Sequence, residues 1–556
     1  MSDPTLPWLR HYDAGVPANL TYPDISLVDL FRSQAETQGN EPLILWESQK
    51  YSYRQVELLT NKLRDSLLAI GCQPGDRIGL ILPNIPAFAI CFLAIIKMGG
   101  VVVALNPTYQ AREFAFHLKD AGVEVVIALD AALPVLEEVR EQTHIKKIIL
   151  VYPQQKYSLI DQPTRAVKYE SRSGEGIIEL KDLLALCGTS SVEEKIDPDT
   201  PAIIQYSGGT TGTPKGAIGS HRNILANVIQ FSTWLLLEQS PYRVLAAIPL
   251  FHVYGMVLAF WLAIKMGTAM VMVHQPGNIE SLLQAIRKYA PGIFPCVPSL
   301  YHAILHYDGL DAYGEDLKSL KECISGSAPL AAETKRAFES RIRGRLVEGF
   351  GLSEAPTATH CNPVRGENKT GSIGMPLPDV TCRIVAVDNP EIDVGAGEAG
   401  ELLLRGPQVM CGYHQRPEES RDIFVNGWLR TGDIVRMDED GYFYILGRKK
   451  DLIKVGGFQV WPTEIEDVIR TIRGVKDVAV AGVSHVMMGE VPAAWVVTDA
   501  GASLDQELIL EICRQNLARY KLPAEIYFID RIPRSTVGKV LRRILLEDYY
   551  TKKQLS

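Results

Sequence analysis

The stretch Pro74–Leu105, PGDRIGLILPNIPAFAICFLAIIKMGGVVVAL, decides the class of fold. A Pro-Gly-Asp turn opens onto Ile78–Leu82, a short apolar run suited to a strand buried on both faces. An apolar helix follows around Phe88–Met98, and Val101–Leu105 reads as the next strand. Strand, helix and strand at this spacing make a βαβ unit with a parallel sheet. Just upstream, Ser52 is a helix start. Val56, Leu59, Leu63, Leu67 and Ile70 then fall at steps of three and four, and Gly71 is a stop. The strand rhythm recurs at Val123–Leu129, Val244–Ile248 and Thr268–Val273.

The fold class is therefore α/β, with a large N-terminal body of several subdomains in which parallel sheets are flanked by helices. Between Thr381 and Leu404 the pattern shifts to short alternating runs broken by Gly and Asp, as in a small β-rich subdomain. Gln154–Gly176 is polar and weakly periodic, a surface excursion. Past Gly447 comes the basic run Arg448-Lys449-Lys450, then a helix start at Pro462 with Glu464, Glu466 and Asp467 in its first turns, where acids suit the helix dipole. The expected domains are 1–447 and a small α/β unit, 448–556.

The 556 residues are 46% hydrophobic and 22% charged, with mean hydropathy +0.02, which is ordinary for a globular chain and excludes a disordered one. Nine scattered cysteines without a Cys-x-x-Cys pair fit neither a disulfide framework nor a zinc ribbon, and point to a reducing compartment. No secretory leader is read at the start, MSDPTLPWLRHYD. The apolar stretches Ile85–Ile96 and Val253–Ile264 are shorter than the ~18 residues of a membrane span and read as core. Residues 448–556 hold 17 basic and 14 acidic residues, a net +3, which leaves −11 on the rest. That balance does not suit duplex nucleic acid, but it suits a small polyanion held between the two parts.

The strongest local signal is Tyr206-Ser207-Gly208-Gly209-Thr210-Thr211-Gly212-Thr213-Pro214-Lys215-Gly216, following the apolar run Ala202–Ile204. Glycines let backbone N–H groups approach an anion, hydroxyls add donors and a lysine adds charge, as a phosphate cradle requires. It is not a Walker A loop, because Pro214 precedes Lys215 and no Gly-Lys-[Ser/Thr] occurs there.

This loop resembles the phosphate-binding signature of the acyl-adenylate-forming (AMP-binding) superfamily. Further stretches match in the same order: Pro249-Leu250-Phe251-His252, Ser325–Leu330, Glu348–Glu354, Trp428–Asp433, Gly447–Lys454 and Pro533–Lys539. The resemblance runs from about Leu27 to Leu545. Gly208, where many members carry Ser, is most similar to bacterial long-chain fatty-acid–CoA ligases, and Ser353 keeps the hydroxyl of the usual Thr.

The resemblance implies ATP-driven activation of a carboxylate. Attack on the α-phosphorus gives a mixed anhydride with AMP as leaving group, and fixed cations and donors stabilise the developing phosphoryl charge. It implies that Thr210 and Glu354 hold Mg2+ and that Ser207, Thr211, Gly212, Thr213 and Lys215 contact the β- and γ-phosphates. On the nucleotide side it implies Ser327, Ala328, Pro329, Gly349, Gly351 and Ser353, with Phe350 stacked on adenine. Asp433 takes the ribose hydroxyls, and Arg448 reaches ribose and phosphate. His252 borders the carboxylate site. Lys539 bridges carboxylate and α-phosphate. Lys450 is the hinge, and Lys454, Gly456 and Gly457 face a pantetheine tunnel.

Val253, Gly255 and Met256 make an apolar acyl pocket. The expected reaction joins a fatty acid to CoA at the expense of ATP, in the cytoplasm, by a monomer or homodimer. Peripheral contact with the inner face of a membrane is compatible with it. An aryl- or short-chain acyl-CoA ligase, and an acyl-AMP ligase that loads a carrier protein, are the alternatives. No carrier-protein domain is expected before Ser556.

Overall fold

A computed structural model describes residues 6–152, 176–186, 195–207, 214–237, 242–456, 458–499, 501–502, 504–535 and 538–555. Thr210, Thr211, Gly212, Thr213 and Gly457, the side chain of Ser207 and nearly all of the polar excursion lie outside them. Among the described residues the strands form four sheets.

The opening stretch folds as read. Strand Arg77–Ile81, helix Pro86–Lys97 and strand Val101–Ala104 form a parallel unit in an eight-stranded sheet. Every residue of the helix is buried, including Lys97. The Lys97 ammonium meets Glu57 Oε2 at 2.5 Å, Thr60 Oγ1 at 3.1 Å and Asn61 Oδ1 at 2.9 Å. A charge can sit this deep only when every donor has such a partner. Ser52 caps helix Tyr53–Ala69 reciprocally with Gln55, and Gly71, at φ +97°, takes the left-handed turn beyond its end.

A nine-stranded sheet carries Pro42–Trp46, Val244–Ala246, Met270–Met272, Ile293–Cys296, Glu322–Ser325 and Arg345–Leu352, all pairing in parallel. Residues from facing sides of both sheets share one core with the helices Pro86–Lys97, His221–Trp234 and Val253–Lys265. Separate clusters cover the outer faces. Both sheets are thus buried on two sides, which is why their strands read as continuous apolar runs.

The β-rich subdomain is a six-stranded antiparallel sheet built on Thr381–Ala386, Gly400–Arg405, Trp428–Met437 and Phe443–Arg448. Its ladder pairs Ile434 with Gly447 and Asp433 with Arg448, so Arg448 still belongs to this sheet. The chain leaves it at the turn Lys449–Asp451. Beyond that turn a five-stranded sheet and three helices enclose cores drawn entirely from residues 453–549. Among the described residues no helix is long and apolar enough to cross a membrane.

Asn84 joins the two large sheets. Its amide donates to the carbonyls of Ala246 (3.0 Å) and Ile248 (2.8 Å), and its oxygen accepts from Leu250 N (2.8 Å). The segment so fixed leads directly into His252. Asn84→Ala removes the side-chain partner of the Ile248 carbonyl and the Leu250 N–H, each worth about 1–3 kcal/mol, while the Ala246 carbonyl keeps the N–H of Val273 at 3.2 Å. A loss of about 3 kcal/mol is expected in urea unfolding, whereas a surface asparagine change would move it by less than about 0.5 kcal/mol.

Candidate active site

A cavity open to solvent lies where the C-terminal unit meets the body, about 470 Å³ with the space at its mouth included. Its walls include Phe231, His252, Val253, Tyr254, Leu258, Gly326, Ser327, the run Gly349–Ser353, Thr357 and Lys539. Lys539, near the C-terminus, and His252, near the middle of the chain, face the same space.

His252 ends an irregular stretch and begins the helix Val253–Lys265. Its Nδ1 accepts the N–H of Tyr254 at 3.2 Å, which leaves the ring proton on Nε2. Burial, with Lys539 nearby, holds the imidazole down to about 3. The ring is therefore neutral at pH 7, a donor and not a cation. The Tyr254 hydroxyl in turn donates to the carbonyls of Ile324 (2.9 Å) and Cys296 (3.1 Å), tying this turn to the strands beneath.

Two backbone features shape the nucleotide side. A Cβ on Gly351 would stand 1.4 Å from the Thr357 carbonyl oxygen, so only glycine lets the two strands approach. Ser327 sits at φ +72°, a left-handed conformation uncommon outside glycine and concentrated at functional sites. Phe350 is half-buried, edge-on to His360 at 5.9 Å between centroids.

The charged groups gather beside Lys539. Arg448 Nε contacts Asp433 Oδ1 at 2.7 Å, while Asp433 Oδ2 is buried without a hydrogen-bond partner among the described residues. Burial pushes the Asp433 carboxyl up, and Arg448 and Lys539 draw it back; Asp433 raises the Arg448 guanidinium. The Lys539 ammonium is lowered by burial and by Arg448, against Asp433 and Glu354. Glu354, in the turn between strands Arg345–Leu352 and Ala355–Cys361, accepts the Tyr413 hydroxyl at 2.9 Å. Lys215 Nζ lies 5.2 Å from the centre of the same tyrosine ring.

The structure thus brings Lys539, His252, Val253, Ser327, Gly349, Phe350, Gly351 and Ser353 around one space, with Asp433, Arg448 and Glu354 acting electrostatically on Lys539. Ala328 and Pro329 follow Ser327 without lining the cavity. Lys454 and Gly456 are exposed on the small unit, away from it, and Gly456 packs under Met488.

Gly255 and Met256, expected in the acyl pocket, do not line this cavity. Met256 is buried in the central core, and a Cβ on Gly255 would meet the Pro249 carbonyl at 2.4 Å; neither lines the cavity. The reason is a π-helical turn, Met256–Trp261. With i→i+5 pitch, Leu258 joins Val253 and Tyr254 on the cavity wall. Leu258, Phe231 and Tyr413 escape sequence reading because neither a π turn nor a contact between distant strands leaves a local pattern.

The chain matches the AMP-binding enzyme family over residues 31–414 and the AMP-binding enzyme C-terminal domain over 464–539. It is 36% identical to a long-chain-fatty-acid–CoA ligase of Bacillus subtilis, covering 98% of each chain. It is 34% identical to one of Salmonella typhimurium, covering 97% of this chain and 98% of that one. The crystal structure of ATP-bound MatB from Rhodopseudomonas palustris superposes with TM-score 0.83 at 28% identity, covering 94% of this chain and 99% of MatB.

His360 gives the site's support a pH signature. Fully enclosed, its imidazole is held by burial down to about 3, far below the usual 6.5. The unfolded chain therefore takes the proton first. The contribution to stability is complete above about 6.5 and is lost as pH falls toward about 3, at up to about 1.4 kcal/mol per pH unit. Urea unfolding of His360→Gln should show a pH slope between about 6 and 4 that is shallower by close to one proton than that of the parent.

Proposed function

Because the chain belongs to the AMP-binding enzyme family, we propose that the cavity between body and C-terminal unit is the adenylation site of a long-chain fatty-acid–CoA ligase. The enzyme is an ATP-dependent acid–thiol ligase that forms acyl-CoA through acyl-AMP, with ATP and CoA as substrates. The single observation that carries the site assignment is Lys539 facing His252 across the cavity, with the Arg448–Asp433 pair acting on it. The relatives and the apolar wall of Phe231, Val253 and Leu258 support a long aliphatic acid.

In this reading the carboxylate enters beside His252, whose Nε2–H donates to it. Lys539 then neutralises charge shared by the carboxylate and the α-phosphate as the mixed anhydride forms. A half-buried ammonium with few competing partners acts more strongly there than it would in water. Asp433 Oδ2, already desolvated and unpartnered, accepts the ribose hydroxyls at no further desolvation cost. Lys215 lies at the start of the strand that leaves the phosphate loop and faces the outer phosphates. Glu354, a hard oxygen donor oriented by Tyr413, fits Mg2+, which would screen phosphate charge when bound. Lys539 serves the first half-reaction. Rotation about Lys450 would then present the Lys454–Gly456 loop for thioester formation.

Two measurements test this. In single-turnover assays, Lys539→Ala should lower acyl-AMP formation by at least about 100-fold yet convert supplied acyl-AMP and CoA at near-parental rate. Equal slowing of both halves would remove the assigned role. With a panel of C2 to C18 and aromatic acids, followed by pyrophosphate release, Leu258→Trp should shift the preferred chain to shorter acids at unchanged short-acid activity. Met256→Trp, which overpacks the core, should lower activity on all acids alike.

A further inference from the structure

We propose that Asp120 is a positioning residue for the phosphate loop, holding the strands on both sides of Lys215 in register while touching no substrate itself. This rests on the reading of the Ser207–Lys215 loop as the site of the outer ATP phosphates.

The loop connects two antiparallel strands, Pro201–Ser207 and Lys215–Ser220, which pair Ser207 with Lys215 and Tyr206 with Gly216. A third strand, Gly412–Tyr413, pairs with the far edge of the second. Asp120 is the last residue of helix Ala111–Asp120, and its side chain is only 10% exposed. Its Oδ2 accepts the Tyr206 hydroxyl at 2.7 Å, and its Oδ1 binds the guanidinium of Arg416, just past the third strand. One carboxylate therefore ties the two outer strands together across the middle one, whose first residue is Lys215.

Three features argue that this is a built arrangement. A carboxylate at a helix C-terminus meets the negative end of the dipole, so the helix does not favour it there and its two partners hold it. The Tyr206 ring is wedged edge-on against His117 (4.7 Å), which stacks on Tyr109 (5.1 Å). Gly216 lies close against the neighbouring strand, since a Cβ there would stand 2.5 Å from Ile204 Cγ2 and 3.3 Å from Tyr206 Cζ. The Arg416 end leads on to the site, because Tyr413 orients Glu354 and carries Lys215 above its ring. A shift of the Tyr413–Arg416 segment would move both groups at once.

The test uses the full chain and compares Asp120→Asn and Tyr206→Phe with Lys215→Ala as a direct phosphate-contact reference. Asparagine matches the size of Asp120 but cannot accept from tyrosine and arginine together. ATP KM and kcat are measured for acyl-AMP formation, alongside conversion of supplied acyl-AMP and CoA, in which no β- or γ-phosphate takes part. The expected result is an ATP KM raised about 10-fold by Asp120→Asn and about 3-fold by Tyr206→Phe, with the thioester half-reaction within about 2-fold of the parent. The double variant should be less than additive.

If Lys215→Ala raises the ATP KM and neither Asp120→Asn nor Tyr206→Phe does, the proposal is overturned and the phosphate reading stands. If Lys215→Ala also leaves it unchanged, the phosphate reading fails and takes the proposal with it. Should Asp120→Asn unfold the chain or slow both halves equally, Tyr206→Phe decides, since it removes one hydroxyl. An unchanged ATP KM in that variant overturns the proposal.

Discussion

A carboxylate taken out of water costs several kcal/mol unless a cation and further donors meet it, and the Asp433–Arg448 pair is built on that constraint. Their ladder pairing places the two on adjacent strands, and the 2.7 Å contact answers one carboxylate oxygen. The other oxygen is buried and unanswered. Stability alone does not account for such an atom, because replacing a buried pair with apolar groups is often neutral or favourable. Lys539 and Glu354 extend the same balance of charge, with Arg448 and Asp433 acting on the Lys539 ammonium in opposite senses.

The small unit supplies Lys539 through a short segment braced from behind. Arg542, three residues on, bonds Glu466 Oε1 at 2.6 Å and Asp451 Oδ2 at 3.2 Å and donates to the Val480 carbonyl at 2.8 Å. Asp451 adjoins Lys450, so the turn between the units and the segment carrying Lys539 share one buried guanidinium. A multiply bonded arginine of this kind makes the two ends move as one body. The segment that carries Lys539 is thereby coupled to the turn that joins the two units.

Close backbone approach is the second requirement. Gly351 lies against the Thr357 carbonyl and Ser327 adopts a left-handed conformation, both on the cavity wall. Between them they leave main-chain groups on that wall uncovered by side chains. Elsewhere the same core is packed with bulky apolar side chains, so the opening exists only where side chains are small or turned away.

Local pattern was enough to read the βαβ units, the capped helix after Ser52 and the β-rich subdomain, because periodicity, caps and turn residues act over a few positions. The chemistry was legible only through the resemblance of several ordered motifs to a known family, since a glycine- and hydroxyl-rich loop ending in lysine is by itself also a plain polar turn. Tertiary structure alone decided which side chains share a space. That Leu258 and not Met256 faces the cavity follows from one π-helical turn. That Asn84 steadies the approach to His252, and that Asp120 meets both Tyr206 and Arg416, follows from the order of strands in the sheets. Such contacts join residues far apart in the chain, and their energy depends on burial and strand order that no local run of residues encodes.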